Sequence, residues 1–198
     1  MRSDQIRLTS CNTPFVPQRA DPYILHHTDG SYYFTASLPQ YDRIVLRRSP
    51  TLAGLRSAPE TTVWERHAQG PMSCHVWAPE LHWLDGAWYL YFAAGDAQDV
   101  WKIRPYVLRC DGADPLTGVW REEGLPRRAD DFSFNDFSLD MTVFSHGGRQ
   151  YAVWAEKVNI NKKISNLYIA EMDDPLTLKT PQVLLSTPSY GWERHDFW

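Results

Sequence analysis

The sequence predicts an all-β protein of β-propeller type, with about three four-stranded blades. Three observations carry that expectation. An apolar run, a tight Gly turn and an aromatic strand recur three times in the same order. The copies lie about 60 residues apart, a length that suits a unit of several strands. Each copy then continues through a third strand to a Pro corner and a short fourth strand.

The first copy runs through residues 22–28, Asp29-Gly30 and 31–37. The second runs through 80–84, Asp85-Gly86 and 87–93, and the third through 141–145, His146-Gly147-Gly148 and 149–155. Asp-Gly favours the type I′ hairpin turn, because both central residues need φ > 0. The third strands (44–48, 106–110 and 167–172) enter Ser49-Pro50-Thr51-Leu52, Asp114-Pro115-Leu116-Thr117 and Asp174-Pro175-Leu176-Thr177. Pro at the first central position of such a turn presets φ. Fourth strands are expected at 62–64, 119–120 and 183–185. Apolar residues alternate or run in short blocks, and no stretch carries a helical period. Blades are therefore expected at about 18–66, 75–124 and 137–187, with 188–198 leading toward a fourth. A β-sandwich with similar hairpins is the alternative; three features recurring in register favour blades.

The 198 residues suit one domain, since the repeats run without a linker. An apolar fraction of 43% supports a packed core. Nine Trp and ten Tyr suit half-buried pleated surfaces, and a minority of such rings can pack on the apolar faces of sugars. A net charge of −4 offers no basic footprint, which argues against nucleic acid as a partner. Cys11, Cys74 and Cys110 are odd in number and widely spaced, so they read as reduced or buried thiols. No His/Cys/Asp cluster has metal-ligand spacing, and no run reaches the length of a membrane span. Residues 1–17 lack the apolar run of a signal peptide, which makes a cytoplasmic location the default. Secretion stays open if a leader has been removed.

Most acids have plain roles. Asp29 and Asp85 form turns, and Asp114 and Asp174 begin Pro corners. Glu122, Glu123, Asp130 and Asp131 read as solvated. Asp21 and Asp140 differ, because each stands immediately before the first strand of its copy, in copies one and three. First strands of propeller blades line the central channel, so both carboxylates are expected at one mouth of it. Like charges held together shift each other's pKa, an arrangement suited to catalysis.

The runs Ala20-Asp21-Pro22-Tyr23-Ile24, Val76-Trp77-Ala78-Pro79-Glu80-Leu81 and Ser138-Leu139-Asp140-Met141-Thr142-Val143-Phe144 resemble the ordered motifs of glycoside hydrolase family 43. The likeness extends to its exo-acting α-L-arabinofuranosidases through Tyr32-Tyr33-Phe34-Thr35-Ala36-Ser37, Tyr41-Asp42-Arg43-Ile44 and Ile103-Arg104-Pro105-Tyr106-Val107-Leu108. The resemblance implies a five-bladed propeller of the glycosidase type. It implies inverting hydrolysis of arabinose-containing oligosaccharides or hemicellulose side chains. It assigns Asp21 as general base, Asp140 as the residue that orients the acid and raises its pKa, and Trp77 as an aromatic that packs on substrate. An inverting enzyme holds its base and its protonated acid roughly 6.5–9.5 Å apart to admit water.

The resemblance also implies a general acid in an Asn-Glu-Gly-Pro-like motif, which this sequence lacks. Glu193 stands in the run-up, Ser189-Tyr190-Gly191-Trp192-Glu193, without matching that motif. The acid is thus expected beyond Trp198, and the chain reads as C-terminally truncated, inactive or nearly so, and loosely folded for want of neighbouring blades. The structural calcium of many family members is expected from a His of the last blade, outside this sequence; no other cofactor is expected. Further substrate contacts are weighed at His75, Glu80, Arg43 and Glu156. Each has a plain alternative: structural hydrogen bonds for His75 and Glu80, surface ion pairs for Arg43 and Glu156. A non-catalytic sugar-binding segment, a β-xylosidase, and a retaining β-fructosidase of related fold are the rival readings.

Overall fold

The computed structural model describes residues 14–157 and 164–193. Cys11, most of the N-terminal stretch read for a leader, and residues 194–198 lie outside the described residues. The first sheet is β1 (Ala20–His26), β2 (Tyr32–Ser37), β3 (Arg43–Ser49) and β4 (Thr61–Glu65), paired in chain order. The second is β5 (Cys74–Leu84), β6 (Ala87–Asp96), β7 (Asp99–Cys110) and β8 (Arg121–Gly124). The third is β9 (Ser138–His146), β10 (Arg149–Lys157) and β11 (Ser165–Asp174), with β12 (Thr177–Leu178) and β13 (Val183–Ser186) both paired to β11. All these pairs are antiparallel, and the sheets are three consecutive β-propeller blades. The only helical segments among the described residues are two short 3-10 turns, Ala53–Arg56 and Gly191–Glu193.

Two of the three hairpins use the expected turn. Asp85-Gly86 joins the pair Leu84 and Ala87, and Gly147-Gly148 joins His146 and Arg149, with φ positive at both central positions each time. The first hairpin departs from type I′. Its loop is longer, Gly30 alone takes positive φ, and Gly30 N–H bonds to the His27 carbonyl at 3.0 Å. Asp29 holds this turn from its side chain, accepting from Ser31 N–H at 2.7 Å and from the Tyr33 hydroxyl at 2.9 Å. At the Pro corners, Asp114 and Asp174 accept from the N–H two residues on, that of Leu116 at 2.9 Å and Leu176 at 2.7 Å. Each carboxylate thereby satisfies the N–H of the residue after the Pro and fixes the corner as an Asx turn.

The fourth strand of blade two corrects the expectation of 119–120. It is the charged segment Arg121–Gly124, while Val119 is 80% exposed. An outermost strand needs backbone pairing on one side only, so charged residues suit it. Trp120 instead packs on the core and donates Nε1–H to the Pro115 carbonyl at 2.8 Å. Nor is Glu122 simply solvated, because it accepts from Trp64 Nε1 and pairs with His67 Nε2, both at 2.8 Å. With Arg48–Asp114, it ties the rims of blades one and two.

Period-two alternation in β6 explains how the blades stack. Trp88, Leu90, Phe92 and Ala94 pack with Tyr33, Ile44 and Leu46 of blade one. Tyr89 and Tyr91 point the other way, onto Met141, Ala152, Trp154 and Met172 of blade three. Blade two is thus buried on both faces. The far face of blade one is covered only in part, where Val16 packs on Phe34, and leaves an apolar groove lined by Phe15, Ile24 and Leu52. On the far side of blade three, Phe144 is 43% exposed and Leu167 42%. Cys74 and Cys110 are free thiols, and Cys110 is buried.

Tyr91 adds a polar tie between blades two and three, its buried hydroxyl donating to the Pro175 carbonyl at 2.6 Å. Tyr91→Phe leaves that carbonyl without its donor and is expected to cost about 1–2 kcal/mol. Denaturant titration should show a lower midpoint at unchanged slope. An unshifted midpoint would show that the tie contributes nothing.

Candidate active site

The inner strands of the three blades carry the same defect at the same place. Ala20 pairs with Ser37 and Tyr23 with Thr35, so Asp21 and Pro22 together oppose one residue of β2. In blade two, Trp77 pairs with Ala93 and Glu80 with Tyr91, so Ala78 and Pro79 share one opposite number. In blade three, Leu139 pairs with Ala155 and Thr142 with Val153, so Asp140 and Met141 do the same. Each is a β-bulge, and its first residue is left-handed: φ is 49° at Asp21, 45° at Ala78 and 53° at Asp140. That region costs an L-residue about 1–2 kcal/mol, less for Asp, whose short side chain can bond locally. Strain of this kind gathers at functional sites.

The bulges aim two carboxylates from separate blades at one place. Although part of its surface is exposed, the Asp140 carboxyl is pushed up to about 6, first by desolvation among its neighbours and then by the charges of Asp21 and Glu80. Asp21, Glu80 and Asp140 therefore share one acidic site, each from a different inner strand. Glu80 bonds His82 Nε2 at 3.0 Å, and His82 Nδ1 lies 3.5 Å from the Tyr23 hydroxyl. Burial and the charge of Glu80 push that hydroxyl up to about 12, so it stays protonated. His82 is buried, and this Tyr–His–Glu chain ties inner strands β1 and β5 together beside the carboxylates.

Ser37 is the site residue that sequence reading missed. Its buried hydroxyl donates to Asp21 Oδ2 at 2.8 Å and accepts from the Ala78 N–H at 2.7 Å. Because the oxygen accepts from an amide, the hydroxyl hydrogen is left to point at the carboxylate. One side chain thus holds the bulges of blades one and two against each other. A signal was available in the repeat. Ser37 occupies the position filled by Ala93 and Ala155 in the other blades.

Trp77, expected as a substrate platform, stands beside the Ala78 bulge with its ring 5.9 Å from that of Tyr41 and 4.6 Å from that of His75. His75 therefore joins the site through Trp77. Burial lowers its pKa, so the imidazole is neutral at neutral pH. Glu80 joins as described. Arg43 is not brought to the carboxylates: it grips Asp42 through two bonds of 2.9 Å, with Glu65 at 3.9 Å. Glu156 departs from the surface ion pair expected of it. It is 4% exposed and accepts from the N–H groups of Phe134 and Asp136 and from Trp154 Nε1, all at 3.0 Å. Alternation along β10 turns it inward beside Trp154, where it anchors the 134–137 segment that leads into β9. Among the described residues, no group of three or more His, Cys, Asp or Glu could hold a metal ion.

The chain matches the family model described as glycosyl hydrolases family 43 over residues 11–197. It is 52% identical over 180 residues to a protein of Streptomyces chartreusis named extracellular exo-α-(1→5)-L-arabinofuranosidase, covering 91% of this chain and 54% of that one. It is 50% identical over 180 residues to a Streptomyces avermitilis protein of the same name, covering 91% and 37%. Among solved structures it resembles an α-L-arabinofuranosidase from Lactobacillus brevis, with TM-score 0.82 and 46% identity, covering 91% of this chain and 57% of that one. The chain spans about half or less of the length of the curated relatives it matches.

The electrostatics of Asp140 set a pH signature. Its folded pKa of about 6 lies above its ordinary value of 3.8, so folding favours the protonated form. The penalty for Asp140 is absent below about 3.8, grows as pH rises from there to about 6, and is complete above that. Asp140→Asn is therefore expected to raise Tm relative to the parent at pH 8, with the gap narrowing toward pH 4. Melting curves across that range check it; a pH-independent gap would exclude the electrostatic account.

Proposed function

The chain belongs to glycosyl hydrolases family 43, and on that premise we propose that the intact protein hydrolyses α-L-arabinofuranosidic bonds with inversion, using Asp21 as general base. The observation that carries this reading is the pair of matched bulges that direct Asp21 and Asp140 to one acidic site. The names of the relatives support arabinose-containing oligosaccharides or hemicellulose side chains as substrate. Those named extracellular support a secreted protein, which the sequence left open.

In this reading Asp21 removes a proton from water as the water oxygen attacks the anomeric carbon. The glycosidic C–O bond breaks, and the leaving oxygen takes its proton from a carboxylic acid on the opposite face. Ser37 fixes the Asp21 carboxylate so that one oxygen is held and the other is presented to water. Asp140, once ionised, holds the acid protonated by like-charge repulsion. The acid itself is assigned to an Asn-Glu-Gly-Pro-like motif of the intact protein. Glu193 is not proposed, because its Oε2 accepts from Ser189 and Tyr190 N–H at 2.8 and 2.9 Å within its own turn. Trp77 packs on the sugar at the cleaved bond.

Asp21→Ala in the intact protein should lower kcat on an aryl α-L-arabinofuranoside by about 10²–10⁴-fold. An unchanged kcat would remove Asp21 as base. NMR of the first-formed sugar should show the inverted anomer, whereas retention would favour the retaining β-fructosidase type of chemistry. Saturable sugar binding without any turnover would favour the non-catalytic alternative. Ser37→Ala should cost kcat about tenfold or more through misplacement of the base, equally for good and poor leaving groups, and Ser37→Thr should recover most of it. A loss confined to poor leaving groups would place Ser37 with the acid instead.

A further inference from the structure

An arc of aromatic rings runs beside the acidic site and crosses all three blades. It starts at Tyr41, in the turn between β2 and β3, which is 38% exposed. It passes to Trp77 at 5.9 Å, to His75 at 4.6 Å, to Trp101 at 5.6 Å and to Phe137 at 6.5 Å. Phe137 directly precedes β9, three residues before Asp140. Lys157 Nζ lies 4.4 Å over the Phe137 ring and ends the arc with a cation.

Trp101 is the exception along this line. It projects from the start of β7 with 61% of its surface exposed. Its ring nonetheless lies nearly parallel to His75, at 19°. An exposed indole held flat by a neighbour leaves an apolar face toward solvent with little rotamer freedom left to lose on binding. The packing of the blades does not require it, since Trp101 belongs to none of the buried clusters. Continuity through His75 to Trp77 places it two rings beyond the platform assigned to the cleaved sugar.

We propose that Trp101, backed by His75 and continued by Phe137 and Lys157, forms an outlying subsite for a further sugar unit of an oligosaccharide chain. Its occupant is an uncharged sugar ring, the apolar face of which packs on the indole while its hydroxyls reach the ammonium of Lys157. The subsite rests on the reading of the acidic site as a glycosidase. It adds to that reading a preference for chains over single sugars carrying a small aglycone.

The test compares Trp101→Ala with the parent, both as intact protein, on an arabino-oligosaccharide and on an aryl α-L-arabinofuranoside. The ratio of kcat/KM for oligosaccharide over aryl substrate should fall about tenfold, mostly through KM, and Trp101→Phe should restore most of it. Equal losses on both substrates, or none on either, would overturn the subsite. If the parent hydrolyses neither substrate, the glycosidase reading fails by itself. Tryptophan fluorescence titration with the same oligosaccharide then decides the subsite: about tenfold weaker binding by Trp101→Ala supports it, and unchanged binding overturns it.

Discussion

A left-handed residue inside a β-strand is unfavourable, yet each inner strand of this protein holds one at the same register. The bulge interrupts the ladder, bends the strand and turns the side chain of its first residue out of the ordinary alternation. In blades one and three that side chain is a carboxylate, and in blade two it is the methyl group of Ala78. The carboxylates could not be aimed at a common site from regular strands without swapping their neighbours between faces. The rest of the site depends on this distortion. Trp77 stands one residue before the blade-two bulge, and Glu80 follows the Pro79 that completes it.

Holding such bulges in place needs bonds from outside the strand that carries them. Ser37 supplies two, to Asp21 and to the Ala78 amide, and so couples neighbouring blades at two of the left-handed bulge residues. Glu156 does comparable work in blade three, bonding two amides of the segment that leads into β9. Behind these polar clamps, blade two is packed on both faces by large apolar and aromatic side chains. A middle blade packed on both faces suits a site whose two aspartates come from the blades on either side of it. The same packing brings Asp21 and Glu80 close enough to Asp140 to raise its pKa.

Much of this was legible in the chain because repeats declare their own exceptions. The hairpins at Asp85-Gly86 and Gly147-Gly148 and the corners at Asp114-Pro115 and Asp174-Pro175 are local matters of turn chemistry, and they lie where residue type puts them. The first hairpin and the fourth strand of blade two did not follow. Asp29 can bond its own loop, which allows a longer turn, and an edge strand answers to backbone pairing more than to its apolar content. Glu156 was misread as an exposed acid because nothing local marks a buried carboxylate. Its three donors come from a loop about 20 residues away and from Trp154 on the same strand. Ser37 carried a signal, standing where the other blades have Ala, but its meaning lay in a partner 41 residues on.

By itself, the sequence determined the blades, their spacing and the two aspartates that break the pattern, because turn chemistry, strand alternation and repeat register are all local. Only the tertiary structure decided which groups meet. It joined Asp21, Glu80 and Asp140 into one acidic site, paired Arg43 with Asp42 and Glu65, buried Glu156, and lined up Tyr41, Trp77, His75, Trp101 and Phe137 across three blades. These encounters depend on how blades pack face to face, and packing distances between separate sheets are written in no single segment of the chain.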